Sequence, residues 1–186
     1  MTDFGAGTGY FLKLLYKKYP DLNCYAIEPY MKLRESKLGG ITFISTFDEL
    51  SNKSQNIVTA FEVCEHLYSY ELESFIKESN RVLQDNGILI ISVPIMYGLS
   101  LLPKVLNRIF LFRKFEYSFF EFLKSLFGLT IDRPSNPKPT HKGFDFRELK
   151  KYISRQYQIE SMHYSPFPQL PWWLNSQIFF IFKKNI

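Results

Sequence analysis

The sequence predicts an α/β fold in which helices connect the strands of a mostly parallel sheet. Short apolar runs of β type alternate with stretches of helical period through the first half of the chain, which is the pattern of repeated βαβ units. A glycine-rich turn separates the first of these runs from the first helix. The chain has 186 residues, of which 46% are apolar, so it can bury the core of one domain.

In the first half of the chain, each predicted element ends at residues that break helices or strands. Apolar residues at helical spacing from position 10 predict a first helix, which Pro20 ends. A short helix is expected over 31–37, and a longer one over 72–83 is followed by Asn86 and Gly87 as a stop. Strands are predicted at 23–27, 41–45, 56–61 and 88–93.

The pattern changes after the strand that ends before Pro94. Residues 97–127 form a helical stretch rich in aromatic side chains with interspersed Lys and Arg, and 131–142 carry three prolines and are expected to form a loop. Asp145 is expected to cap a helix over 146–155. Two strands, at 158–164 and 176–182, then form a closing hairpin. We therefore expect a single domain over 1–186 with a helical, aromatic and basic lid insertion at about 96–142.

Charge and cysteine content limit the compartment and the partners. The net charge of +5 is concentrated in residues 104–155, which hold 12 Lys and Arg against 5 Asp and Glu. Such a basic segment is compatible with a solvated face or with a surface that contacts anionic lipid, acidic substrate or nucleic acid. Cys24 and Cys64 lie in apolar runs without ligand spacing, so we expect no disulfide and no metal site, and a reducing cytoplasm. No secretory leader and no apolar run long enough to span a bilayer is found.

The strongest chemical signal is the turn Asp3-Phe4-Gly5-Ala6-Gly7-Thr8-Gly9. Glycine is needed where φ is positive or where a ligand approaches the backbone, and the N-terminus of the following helix favours negatively charged or polar ligand groups. The spacing is G-x-G-x-G and differs from the G-x-G-x-x-G of dinucleotide-binding enzymes. Glu28 ends the next strand, where a carboxylate can accept hydrogen bonds from both hydroxyls of a ribose. Together these features indicate a nucleoside-containing cofactor.

These motifs resemble those of class I S-adenosylmethionine (SAM)-dependent methyltransferases, in the group that includes the type 11, type 23 and ubiquinone-biosynthesis enzymes. The likeness runs through the segment from Thr59 to Leu67, which contains Glu65-His66, and through Arg81 to Pro94 to the closing hairpin. It implies a Rossmann-like SAM methyltransferase fold, a seven-stranded sheet of order 3-2-1-4-5-7-6 whose last strand is antiparallel, and SAM as cofactor with S-adenosylhomocysteine as product. The first strand is a stub here, so an N-terminally truncated member is expected.

The resemblance also assigns roles to individual residues. The glycine turn is expected to approach the methionine part of SAM, Asp3 to help hold its amino group and Glu28 to bind its ribose. Asp48, after the third strand, is a candidate contact for adenine, although a plain surface turn explains it equally well. The full set of expected cofactor contacts is Asp3, Gly5, Ala6, Gly7, Gly9, Glu28, Asp48, Phe61 and Glu62.

His66 and His141 are the candidate general bases, since methyl transfer to oxygen or nitrogen often requires removal of a proton and histidine titrates near neutral pH. Each has a structural alternative: helix capping or packing for His66, and a hydrogen bond that stabilises its loop for His141. No Asn-Pro-Pro-Tyr or Asp-Pro-Pro-Tyr segment follows the fourth strand. This favours a small-molecule acceptor over nucleic acid.

The predicted activity is methyl transfer to a small-molecule acceptor, on oxygen, carbon or nitrogen, with a hydrophobic molecule or a saccharide intermediate as compatible classes. The insertion at 96–142 can be a lid over the acceptor, packing, or a surface for peripheral membrane contact. The alternatives are a non-catalytic SAM-fold remnant that acts as a binding subunit, with self-association covering an exposed sheet edge, and a nicotinamide-dependent oxidoreductase.

Overall fold

Seven strands form one sheet in a computed structural model that describes residues 1–30, 39–113 and 115–185. The predicted helix over 31–37 lies outside the described residues. The strands are β1 (Thr2–Phe4), β2 (Cys24–Ile27), β3 (Ile41–Ile44), β4 (Gln55–Phe61), β5 (Leu83–Pro94), β6 (Tyr157–Ser165) and β7 (Gln177–Lys184). Their order is β3-β2-β1-β4-β5-β7-β6, and β7 is antiparallel to both neighbours whereas β1 to β5 pair in parallel. The predicted fold and strand order are confirmed.

Five α-helices accompany the strands in the described part of the chain: α1 (Tyr10–Lys18), α2 (Ser69–Val82), α3 (Leu101–Phe112), α4 (Phe119–Leu126) and α5 (Phe146–Ile153). Helix α2 begins three residues earlier than its apolar spacing predicts, because the N–H of Tyr68 donates to the carboxylate of Glu71 and closes the first turn. Asp145 caps α5 as predicted, since its side chain accepts a hydrogen bond from the N–H of Arg147 at 2.9 Å.

The prediction that Asn86-Gly87 stops a helix before a strand at 88–93 is wrong, because β5 already begins at Leu83 and passes through both residues. Leu83 pairs with Gln55, and the register of β4 and β5 shifts before Ile57 pairs with Ile88. The extra residues are therefore accommodated as an irregularity within the strand pair.

The helical stretch expected over 97–127 consists of two helices, α3 and α4, with Arg113 in a left-handed conformation at the end of α3. The main core lies on the face of the sheet that α2 and α5 cover and includes Val58, Leu89, Ile91 and Phe180, all of which are fully buried. A smaller cluster that includes Leu12 of α1 lies on the other face. Within the described residues, no helix is long and apolar enough to cross a bilayer.

Candidate active site

The glycine turn between β1 and α1 is held in an unusual backbone conformation. Gly5, Gly7 and Gly9 all have positive φ, and the N–H of Gly5 donates to the carbonyl oxygen of Ile27 at 2.9 Å. A Cβ on Gly5 would lie 2.5 Å from a methyl group of Val63, whereas a Cβ on Gly7 would meet nothing within 4 Å. Gly5 is thus required by packing, and Gly7 faces open space in which a ligand can approach the backbone.

Glu28 connects this turn to the end of β2. Its carboxylate accepts hydrogen bonds from the N–H of Gly7 at 3.0 Å and from the N–H of Tyr30 at 2.8 Å, and the residue is only 5% exposed. Backbone donors of this kind fix the direction of the carboxylate. Glu28, which is predicted to bind a ribose, is therefore held next to the glycine turn before any ligand binds.

Asp3 lies in β1, directly before the turn, and is buried. Its carboxylate accepts a hydrogen bond of 2.6 Å from the hydroxyl of Thr59 in β4. Burial raises the pKa of this carboxyl to about 6, although the hydrogen bond from Thr59 acts in the opposite direction. In this structure Asp3 therefore links two strands.

A cleft of about 930 Å³ opens at the carboxyl ends of the parallel strands, beside the glycine turn; we call it the sheet-edge cleft. Gly5, Glu28 and Asp48 line it, as does His66. This position is the expected ligand site of an open parallel sheet. The sequence predictions for these four residues thus converge on one space.

One wall of the sheet-edge cleft is aromatic. The ring centroid of Phe4 lies 5.5 Å from that of Phe47 and 4.7 Å from that of Phe75, and all three residues line the cleft. Sequence reasoning missed these residues, because each also fits an ordinary apolar core position. The only local signal was the position of Phe4 within the glycine motif.

Ala6, Phe61 and Glu62, also predicted as cofactor contacts, do not line the sheet-edge cleft. Ala6 is part of the turn, where its carbonyl oxygen accepts a hydrogen bond from the N–H of Gly9 at 2.8 Å. Phe61, at the end of β4, packs edge-on against Phe11. Glu62 has a positive φ of 55°, and its carboxylate accepts hydrogen bonds from the hydroxyl of Ser92 and the amide of Gln177. Its side chain faces a second cavity on the other side of β4.

This second cavity has a volume of about 380 Å³, and we call it the lid cavity because α3 and the loop before α5 cover it. Apolar side chains from the insertion form part of its lining, together with Glu62, Lys104 and His141. The ammonium of Lys104 donates to the carbonyl oxygens of Ile95 and Ser176, and burial lowers its pKa to about 8. The cavity thus combines an apolar surface with a few ionisable groups, of which Lys104 and His141 are partly buried, and this mixture is typical of small-molecule sites.

The two predicted general bases meet between these spaces. The Nε2 atoms of His66 and His141 are 3.0 Å apart, although 75 residues separate them in sequence. His66 lines the sheet-edge cleft and His141 lines the lid cavity. Burial lowers the pKa of His141 to about 4, and the neighbouring His66 adds to the effect. An imidazole in this environment is neutral at physiological pH.

Glu65 lies behind this pair and is fully buried. Its side-chain oxygens have no hydrogen-bond partner within the described residues, and burial raises its pKa to about 8. The guanidinium of Arg133 donates to the backbone carbonyl oxygen of Glu65 and so brings the loop before α5 against this segment.

Ion pairs hold that loop, residues 132–143, in place. Lys138 pairs with Glu71 of α2 at 2.9 Å, and Lys142 pairs with Glu121 of α4 at 2.8 Å. The hydroxyl of Thr140 donates to the carboxylate of Glu116 at 2.7 Å. The contacts on both sides of His141 explain how a proline-rich loop positions it against His66.

Comparison with known proteins gives a consistent result. A family model described as a methyltransferase domain matches residues 2–121. No curated protein sequence matches the chain significantly.

Solved structures of similar fold cover nearly all of this chain. The PH0226 protein from Pyrococcus horikoshii superposes with a TM-score of 0.65 at 15% identity, over 99% of this chain and 81% of its own. A SAM-dependent methyltransferase from Methanosarcina mazei superposes with a TM-score of 0.61 at 16% identity, over 100% of this chain and 92% of its own. A SAM-dependent methyltransferase from Aquifex aeolicus superposes with a TM-score of 0.60 at 13% identity, over 98% of this chain and 80% of its own. At such identities these matches establish the fold.

Proposed function

The chain belongs to the family of methyltransferase domains, and we propose that it transfers a methyl group from SAM to a small-molecule acceptor. The observation that carries the proposal is the 3.0 Å contact between His66, which lines the sheet-edge cleft, and His141, which lines the lid cavity. A transfer between two bound molecules needs two binding spaces that meet at one point, because the reacting atoms must approach within about 3–3.5 Å.

The residues of the sheet-edge cleft fit the cofactor that the family implies. Glu28 presents an oriented carboxylate for the ribose hydroxyls, and Gly7 leaves room for close approach to the backbone. Phe47 and Asp48 follow β3 and would lie at the adenine. When bound, SAM supplies a methyl group that is activated by its positively charged sulfur.

The lid cavity would hold the acceptor. Met96, Leu101 and Val105 supply apolar surface, while Glu62 and Lys104 supply polar groups next to it. This mixture suits an acceptor that has an apolar body and a polar reacting atom, such as a hydroxyl. His66 and His141 would lie against the reacting atom, where the proposed roles are to orient it and to accept its proton.

The outer surface of the insertion supports a hydrophobic acceptor. Phe110, Phe119 and Phe120 are 80%, 68% and 75% exposed, so α3 and α4 present aromatic rings to solvent. Arg113 and Lys124 are exposed on the same two-helix unit. Apolar side chains next to basic ones are typical of a surface that rests on anionic lipid. We propose that the acceptor reaches the lid cavity from such a lipid surface.

Calorimetric titration with S-adenosylhomocysteine and SAM tests the cofactor assignment. We expect binding that Glu28→Ala weakens about 10-fold to 100-fold, since hydrogen bonds to a charged group contribute about 1.5–3 kcal/mol. Glu73→Gln, an exposed carboxylate on α2, is the matched control and should bind normally. Failure of the folded wild-type chain to bind either compound, or preferential binding of a nicotinamide dinucleotide, would reject the proposed function. Binding without turnover on any acceptor would favour a non-catalytic subunit.

A further inference from the structure

Glu65, His66 and His141 bring three potential metal-ligating groups together, although the sequence predicted no metal site. One oxygen of Glu65 and one ring nitrogen from each histidine lie within 4.8 Å of one another. His66 and His141 approach at 3.0 Å through Nε2, and Nε2 of His66 is 4.0 Å from Oε1 of Glu65.

These distances are close to those of atoms that share one cation. Ligand atoms about 2.1 Å from one ion lie roughly 3.0 Å apart at a right angle and at most about 4.2 Å apart. Tetrahedral coordination separates ligand atoms by about 3.4 Å, so the two imidazole nitrogens, which are 3.0 Å apart, lie within about 0.4 Å of that value. Shifts of less than about 1 Å would bring the carboxylate oxygen into the same shell.

The hydrogen bonding of the cluster is incomplete without a further group. Both carboxylate oxygens of Glu65 and Nδ1 of His66 are buried and have no hydrogen-bond partner within the described residues. A buried carboxyl with unsatisfied oxygens is energetically unfavourable unless a hydrogen bond or a cation compensates.

We propose that Glu65, His66 and His141 form a binding site for one divalent transition-metal cation, such as Zn²⁺ or Co²⁺. Two imidazole nitrogens and one carboxylate are a donor set that these borderline metals prefer, whereas Mg²⁺ and Ca²⁺ prefer oxygen ligands alone. Three protein ligands leave at least one coordination position open for an exchangeable ligand.

The surrounding charges are compatible with a cation. Glu62 faces the lid cavity beside His141 and adds a second carboxylate to the region. Among the nearby basic side chains, Arg108 pairs with Glu116. Two others direct their donors to carbonyl oxygens: Lys104 to those of Ile95 and Ser176, and Arg133 to that of Glu65. Neither of them forms an ion pair with the Glu65 carboxylate in the described residues.

The inference does not depend on the proposed function, but it refines it. The open coordination position would lie where the sheet-edge cleft and the lid cavity meet. A cation there would bind an oxygen of the acceptor and lower the pKa of its hydroxyl. The acceptor class expected with a metal is therefore an alcohol or phenol.

The test is direct metal binding by the full chain after chelator treatment, with Zn²⁺ followed by calorimetry and Co²⁺ by visible absorption. We expect one equivalent to bind, and His66→Gln, His141→Gln and Glu65→Gln to weaken binding by at least about 100-fold, since loss of even an outer-shell partner costs 10-fold to 100-fold. The control is His163→Gln, because this remaining histidine is exposed on β6 and pairs with Ser161. It should bind as the wild type does.

The outcomes separate the two proposals. No binding of either metal by the folded chain, or an equal loss in His163→Gln, overturns the metal site. If Glu65→Gln does not fold, His141→Gln still decides the matter, because His141 lies on a loop and not in the core. Binding of S-adenosylhomocysteine without metal binding leaves the methyltransferase proposal standing, and metal binding without nucleoside binding leaves the metal site standing.

Discussion

Asp3→Asn should make the ligand-free chain more stable at neutral pH while it weakens cofactor binding. Burial raises the pKa of Asp3 to about 6 from an ordinary value of 3.8, a difference of about two pKa units. Each unit corresponds to about 1.4 kcal/mol, so ionisation of Asp3 costs the folded state about 3 kcal/mol at pH 7. Asparagine removes that cost and keeps the oxygen that accepts the hydrogen bond from Thr59.

The pH dependence follows from the direction of the pKa shift. Because the pKa is higher in the folded state, the folded chain binds the proton more tightly, and wild-type stability falls as the pH rises from about 4 to about 6. The gain in the free energy of unfolding from Asp3→Asn should therefore be small at pH 4 and reach its full value above pH 7. In a chain of this length, 3 kcal/mol raises the melting temperature by about 6–12 °C.

Thermal unfolding followed by circular dichroism between pH 4 and pH 8 measures this difference. Asp21→Asn, an exposed aspartate, is the matched control and should change stability by less than about 0.5 kcal/mol. The reasoning is refuted if Asp3→Asn lowers the melting temperature equally at both ends of the pH range. Calorimetry on the same variant should show weaker SAM binding, by about 10-fold or more, if the carboxylate holds the amino group.

Two further substitutions address the loop and the lipid surface. Gly143→Ala should destabilise the chain by about 2 kcal/mol and weaken metal binding, because Gly143 has a φ of +71° and an added Cβ would lie 2.6 Å from the carbonyl oxygen of Asp132. The control is Gly39→Ala, whose added Cβ would meet nothing within 4 Å and which should leave the melting temperature nearly unchanged. Phe120→Ser should reduce binding to anionic lipid vesicles about 10-fold in a sedimentation assay, since a phenylalanine that becomes buried in lipid contributes about 1.5–3 kcal/mol. An equal reduction in Tyr19→Ser, at the end of α1, would contradict the assignment of this surface.

The fold was predictable because its signals are local. The alternation of apolar runs and helical periods predicts the βαβ order, and the glycine turn with Glu28 lies within one such unit. The ends of elements were less predictable, because tertiary contacts move them. Asn86-Gly87 favours a turn, yet pairing of Leu83 with Gln55 extends β5 across it.

The meeting of His66 and His141 could not be predicted from either histidine's surroundings in the sequence. Each histidine was a candidate because of its local position: His66 follows the fourth strand, and His141 lies in a loop. Their contact depends on where the loop lies, and this is set by side-chain pairs distant in sequence, such as Lys138 with Glu71 and Lys142 with Glu121. No periodicity or spacing rule reports such pairs.

The same loop contributes residues to the sheet-edge cleft and to the lid cavity. Lys138 lines the sheet-edge cleft, and its partner Glu71 does too, while Thr140 holds Glu116 at the lid cavity. His141 directly follows these two anchors in the sequence and provides the contact with His66. A ligand that displaces Lys138 from Glu71 would therefore act on the position of His141 only three residues away. Because the ion pair is partly exposed and screened by water, its rearrangement on binding costs little. The loop can thus respond to occupation of the cleft without loss of the fold.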